Sequence, residues 1–202
     1  IYNNIANKTT ALGPVCIGSV VKEMPGWDVE IIDENNMRRH GPKSSSGGAD
    51  HELLQRIRPA DIVGLYGGLT STIPRLYAIA SFYHDKGIPV VSGGQHFVDE
   101  NISEALRNNV DYVVTGEGEI IITKLLECLK SGGLLKDIRG IAYTDGEATI
   151  INPPAELITD FDALPHPDFS LVRYAKLKIY PIGRIRGCPM HCEFCTVKGA
   201  PR

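Results

Sequence analysis

Between residues 61 and 130, short apolar runs alternate in strict order with amphipathic ones, and a glycine-bearing loop follows each apolar run. Asp61-Ile62-Val63-Gly64-Leu65-Tyr66, Ile88-Pro89-Val90-Val91-Ser92 and Asp111-Tyr112-Val113-Val114-Thr115 read as strands. Each precedes a stretch with helical spacing, over 72–86, 99–108 and 119–130. Strands that alternate with helices must run parallel, because the crossover returns the chain to the same end of the sheet. The expected fold class is therefore α/β, a doubly wound parallel sheet of flavodoxin-like order with ligands at the carboxyl ends of its strands.

Upstream, Gly13-Pro14 opens a helix over 15–24 that Pro25-Gly26 stops, and residues 27–32 alternate as a strand. The segment 34–49 contains Lys43-Ser44-Ser45-Ser46-Gly47-Gly48, a mobile loop by composition, and Asp50 caps a helix through about residue 58. A first strand should precede the helix at Pro14; either residues 2–6 supply it or it lies before residue 1.

Downstream the pattern becomes antiparallel, with strands over 140–144 and 147–151 about the turn Asp145-Gly146. Residues 161–174, with Pro165 and Pro167, read as an ordered linker, and 177–185 as the first strand of a barrel. The resulting division is a sheet domain over 1–131, a hairpin and linker over 132–176, and the start of a second domain over 177–202.

Cys188, Cys192 and Cys195 fall within eight residues as CxxxCxxC, three of the five cysteines in the chain. So short a run cannot close useful disulfides without leaving a thiol over, so it reads as a metal site. Three thiolates can hold three corners of an iron-sulfur cube and leave one iron open, whereas a closed zinc site wants a fourth ligand. The alternatives are a zinc knuckle and three incidental thiols; ligation of zinc by both His191 and its neighbour Cys192 is awkward, and His191 reads as an exposed loop residue. Cys16 and Cys128 sit among apolar neighbours and read as buried, inert thiols.

No apolar run approaches the ~20 residues of a membrane-spanning helix, and with reduced thiols the expected compartment is cytoplasmic. The net charge of −3 is uneven, since residues 171–202 carry seven Lys or Arg against Glu193 alone, a surplus of +6 that leaves −9 for the rest. The basic residues form no continuous run, so surface charge around an anionic cluster is the plainer reading than a nucleic-acid footprint.

The spacing, Arg186-Gly187 before it and Phe194 beside the last cysteine resemble the radical S-adenosylmethionine enzymes. That resemblance implies a 4Fe-4S cluster on Cys188, Cys192 and Cys195, S-adenosylmethionine on the open iron, and Phe194 beside the adenine. The loops Gly67-Gly68-Leu69-Thr70, Gly93-Gly94-Gln95-His96 and Thr115-Gly116-Glu117-Gly118-Glu119 extend the likeness to the cobalamin-binding members of that family. Gly67 departs from the family's Ser-x-Leu at the serine position. The implied cofactor-binding residues are Gly67, Gly68, Leu69, Thr70, Gly93, Gly94, His96, Thr115, Gly116 and Glu117. Each loop alone is equally a tight strand-to-helix reversal, and an acid at a helix start equally complements its dipole.

The resemblance implies a transferase: reductive cleavage of S-adenosylmethionine with methyl transfer or a related radical rearrangement, on a small-molecule or natural-product substrate. A flavodoxin or ferredoxin would donate the electron. No catalytic residue is readable. The competing reading is a corrinoid- or nucleotide-binding module with a structural metal; the absence of GxGxxG after the first strand weakens its nucleotide form. No DxHxxG occurs, so no histidine ligand to cobalt from below is expected, and His96 is the residue that can contradict this. With seven residues after Cys195, the chain is expected to be an inactive fragment.

Overall fold

A computed structural model of the chain describes residues 8–37, 41–45, 47–98, 100–183, 185–190, 192–193 and 195. In chain order its elements are α1 (Leu12–Lys22), β1 (Ile31–Ile32), α2 (His51–Ile57), β2 (Val63–Tyr66), α3 (Ile73–His84), β3 (Val90–Gly93) and α4 (Glu100–Arg107). There follow β4 (Tyr112–Val114), α5 (Gly118–Ser131), β5 (Ile141–Asp145), β6 (Ala148–Ile151) and β7 (Val172–Arg173). The chain divides into two compact units, one of residues 1–60 and 162–184 and the other of 61–161 and 185–202.

The second unit is built on a mixed five-stranded sheet of order β2-β3-β4-β5-β6. β2, β3 and β4 run parallel, with Val63 opposite Val90 and Val91 opposite Tyr112. The three alternating strand–helix pairs thus fold as the period of their sequence dictates, and the chain is an α/β protein. Pleating sends Val90, Val113 and Ala142 to one face, where they form a core with Ile73, Leu76, Ile79 and Ala80 of α3 and Ile102 and Ala105 of α4. α5 contacts β4 and buries Ile121, Ile122, Leu125 and Leu126. Gly132, at φ +73°, ends it in the left-handed turn that glycine adopts without steric cost.

The hairpin forms, but it is not a linker. β5 pairs antiparallel with β4, Val113 opposite Ala142, and continues the sheet. Ile141 and Ala142 are fully buried there, so apolar burial recruits the hairpin as the fourth and fifth strands. Its loop residues are Gly146 and Glu147, between the paired Asp145 and Ala148, with Gly146 at φ +59°. This places the loop one position later than the expected Asp145-Gly146 turn.

The first unit corrects three further expectations. The strand over 27–32 shrinks to β1, which pairs parallel with β7 of the presumed linker rather than with the sheet. The serine-rich loop is a hydrogen-bonded turn: Lys43 bridges Ala49, the Ser44 amide donates to the Gly48 carbonyl at 2.9 Å, and the Ala49 amide donates to the Glu34 carboxylate at 2.8 Å. Backbone partners inside the loop outweigh a composition that reads as flexible. Residues 175–183 carry no strand, although Ile179, Tyr180 and Ile182 are exposed apolar residues. The Lys178 and Ile179 amides both donate to the Lys8 carbonyl, at 2.8 and 3.0 Å, and two bonds to one acceptor do not make a strand ladder.

The cap at Asp50 is present, its carboxylate accepting the Leu53 amide at 2.9 Å. Residues 2–6, Phe194 and His191 lie outside the described residues. Cys16 and Cys128 are half-buried rather than buried, and none of the five cysteines is in a disulfide.

Candidate cofactor site

Parallel strands put the ends of β2, β3 and β4 on one edge of the sheet, and the three glycine loops leave from that edge. The first two are clasped together. The Gly67 amide donates to the Gly93 carbonyl at 2.8 Å, and the Gly67 carbonyl accepts the His96 amide at 2.9 Å.

That clasp explains several of the glycines without a ligand. A Cβ on Gly94, which has φ +124°, would stand 2.6 Å from the Gly67 carbonyl oxygen. One on Gly67 would strike the Phe97 ring at 2.5 Å, and one on Gly68 the Tyr66 ring at 2.5 Å. Gly93 has only ordinary contact, 3.5 Å from the Val114 carbonyl. Gly116 differs: at φ +87° it has nothing within 4 Å of a Cβ, so its turn faces open space. Leu69 is 67% exposed, and Thr70 is exposed beside it. Thr115 is held through its amide, which donates to the Gly140 carbonyl at 2.9 Å.

His96 sits inside the clasp. Its Nδ1 is 3.3 Å from Thr70 Oγ1, and its ring meets Phe97 edge-on at a centroid distance of 5.4 Å. The other ring nitrogen, Nε2, is buried with no protein hydrogen-bond partner, and so is the Oγ of Ser92, a residue that is 0% exposed in β3. An unpartnered buried polar atom costs about 1–3 kcal/mol. Two of them toward the carboxyl end of β3 are polar capacity that a bound ligand can use.

The third loop does something that sequence reasoning did not foresee. Glu119, in the first turn of α5, is only 5% exposed, and its carboxylate takes Arg186 Nη2 at 2.5 Å and Nη1 at 3.2 Å. Glu117 Oε1 lies 3.3 Å from the same Nη1, while Glu117 Oε2 accepts the Ile158 amide at 2.7 Å. The guanidinium also lies over the Phe161 ring, 4.8 Å from its centroid. Burial pulls the Arg186 pKa down, but hydrogen bonding to Glu119 and the charges of both carboxylates outweigh it and leave it above its ordinary value. The Glu117 side chain is thus occupied by protein partners. Arg186, expected as surface charge near a cluster, is spent on two acids. The pairing joins positions 67 and 69 residues apart, a separation that leaves no periodic signature in a sequence.

Arg186 leads into the cysteine loop. Cys188 and Cys195 are half-buried and Cys192 is exposed, and the Cys195 amide donates to the Cys192 carbonyl at 3.2 Å. Among the described residues no three His, Cys, Asp or Glu side chains are gathered to hold a metal, so the thiols do not converge in this structure. The donor set still fits a thiophilic cluster: three thiols, none in a disulfide, lie on a segment whose described residues form no helix or strand.

No protein-family profile matches the chain. It is 32% identical over 195 residues to an uncharacterized methyltransferase of Pyrococcus horikoshii, a match covering 92% of this chain and 40% of that protein. It is 29% identical to an anaerobic magnesium-protoporphyrin IX monomethyl ester cyclase of Synechocystis, over 93% of this chain and 38% of that one. The chain thus spans well under half the length of either relative.

Among solved structures, it superposes on the cobalamin-dependent S-adenosylmethionine radical enzyme OxsB with a TM-score of 0.69 at 20% identity, covering 93% of this chain and 26% of that one. The radical S-adenosylmethionine methyltransferase TsrM of Kitasatospora setae, with cobalamin and a 4Fe-4S cluster bound, gives 0.62 at 19% identity, covering 94% of this chain and 40% of that one. The chain thus shares its fold with cobalamin-dependent radical S-adenosylmethionine enzymes.

Proposed function

We propose that the chain is the cofactor-binding part of a cobalamin-dependent radical S-adenosylmethionine enzyme, with methyl transfer as the leading reaction. The observation that carries this is the presence, in one compact unit, of a CxxxCxxC loop and a parallel-sheet edge with orphaned polar atoms. The match to a methyltransferase over most of the chain supports it. In this reading, Cys188, Cys192 and Cys195 hold the cluster and Phe194 stands beside the adenine. The edge formed by Gly67 to Thr70, Gly93, Gly94, His96 and Thr115 to Glu117 receives the corrinoid. When bound, the cluster supplies the electron that cleaves S-adenosylmethionine, and the corrinoid supplies a methyl carrier.

The residues of the chain do the holding. Gly116 leaves open space for a large ligand to approach the backbone, exposed Leu69 offers apolar contact, and Ser92 Oγ and His96 Nε2 offer polar contact. In this proposal the parallel strands β2, β3 and β4 belong to a sheet of flavodoxin-like order. The exposed Ile179, Tyr180, Ile182 and Ile185 belong to the opening of a barrel that buries them. Substrate and electron donor bind within the larger part of the relatives that lies outside the match.

The test is anaerobic reconstitution followed by iron, sulfide, zinc and corrinoid analysis. About four irons per chain together with bound cobalamin supports the reading. One zinc and no iron refutes it in favour of a module with a structural metal. His96→Ala refines the corrinoid site. Cob(II)alamin without nitrogen hyperfine splitting in either form supports a cobalt face free of protein nitrogen, and splitting that vanishes with the substitution makes His96 the ligand.

A further inference from the structure

We propose that Arg186 is a positioning residue that fastens the cysteine loop to the turn after β4, so that the cluster site and the corrinoid edge share one rigid seam. This rests on the functional reading above. Cys188 follows Arg186 by two residues, so its Cα lies within about 7.6 Å of the Arg186 Cα by chain geometry alone. Fixing the guanidinium therefore fixes the approach of the first thiolate.

The fastening is built rather than incidental. Glu119 presents both carboxylate oxygens to the planar fork of Arg186, with a side chain 7% exposed against 33% for the arginine. Bidentate pairing of this kind fixes direction as well as distance. Glu117 then uses its two oxygens on different segments, one on Arg186 and one on the Ile158 amide. The Phe161 ring closes the guanidinium from its face. Three stretches of chain, at 117–119, 158–161 and 186, are thereby knotted at the loop whose Gly116 opens toward the candidate ligand space. Because the guanidinium charge is already met by two carboxylates, Arg186 acts on the cluster through position and not by balancing its charge.

The experiment uses the reconstituted full-length protein. Iron and corrinoid contents are measured first, then electron paramagnetic resonance of the reduced cluster is followed as S-adenosylmethionine is added, and the cob(II)alamin signal is recorded. Arg186→Gln should retain iron on its intact thiols but need about tenfold more S-adenosylmethionine to shift the cluster signal, the scale seen when a ligand's outer support is lost. It should also alter the cob(II)alamin signal, since coupling between two sites is reciprocal. The reversed pair Glu119→Arg with Arg186→Glu should recover part of both effects, which a residue serving general stability through other contacts does not explain. If Arg186→Gln fails to fold, Glu119→Asp decides the matter, because it keeps every charge and withdraws the anchor by one methylene.

A loaded variant whose S-adenosylmethionine dependence and both signals equal those of the wild type overturns the proposal alone. A wild type that takes up neither iron nor corrinoid overturns the functional reading and this inference together.

Discussion

Replacing Gly94 by alanine tests whether the first two glycine loops are locked by contact with each other. The new Cβ would lie 2.6 Å from the Gly67 carbonyl oxygen and 2.8 Å from its carbon, both backbone atoms that cannot swing aside like a side-chain tip. Moving them strains the bonds from the Gly67 amide to the Gly93 carbonyl and from the His96 amide to the Gly67 carbonyl. Overpacking of this kind costs about 1–3 kcal/mol. The backbone at φ +124° adds about 1–3 kcal/mol more for any residue with a side chain. The expected loss is therefore about 2–6 kcal/mol, set against about 5–15 kcal/mol for a typical domain.

Gly64→Ala is the control: it lies in the same sheet, in β2, with nothing within 4 Å of its Cβ, and should be neutral or stabilising by less than about 1 kcal/mol. Urea unfolding followed by far-UV circular dichroism reads the difference, as a midpoint lowered by at least about 1 M at an ordinary slope. Hydrogen exchange at the Ser92 and Val113 amides assigns the loss to the sheet. A Gly94→Ala midpoint within error of Gly64→Ala would show that the clasp is not a constraint, and that Gly94 serves the ligand instead.

Leu125, 0% exposed in α5, should cost about 2–5 kcal/mol on conversion to alanine, while Leu134→Ala at 61% exposure should stay within about 0.5 kcal/mol of wild type; equal urea midpoints for the two would contradict the core assignment. Asp168, hydrogen-bonded by Lys22 Nζ at 2.6 Å and by the Ser170 amide, has its pKa lowered from 3.8 to about 2. Its ionised form is favoured in the folded state, so the stabilisation is complete above pH 3.8 and is lost as pH falls through about 2. A carbon-13 titration of the Asp168 carboxyl should show a midpoint near 2 that rises toward 3.8 in Lys22→Met, and a wild-type midpoint already at 3.8 would dismiss the pair.

The features legible in the sequence alone were local. Helical spacing located α3, α4 and α5, apolar runs located β2, β3 and β4, and the order of the two made the strands parallel, because those signals arise within a dozen residues. The CxxxCxxC spacing is equally local, and it names a donor set without saying whether the thiols converge. What only the tertiary structure decided depends on residues far apart in the chain. β1 found β7 across some 140 residues in place of the main sheet, and β5 found β4 antiparallel because that burial was available to it. The glycines at 67 and 94 are required by Phe97 and the Gly67 carbonyl, neighbours created only once the loops are clasped. Arg186 looked like one of seven scattered basic residues until Glu117 and Glu119 were placed around it. A sequence records each group's chemistry and its local period. Which acid meets which arginine is set by how the strands pack, and that depends on the burial won by the whole unit.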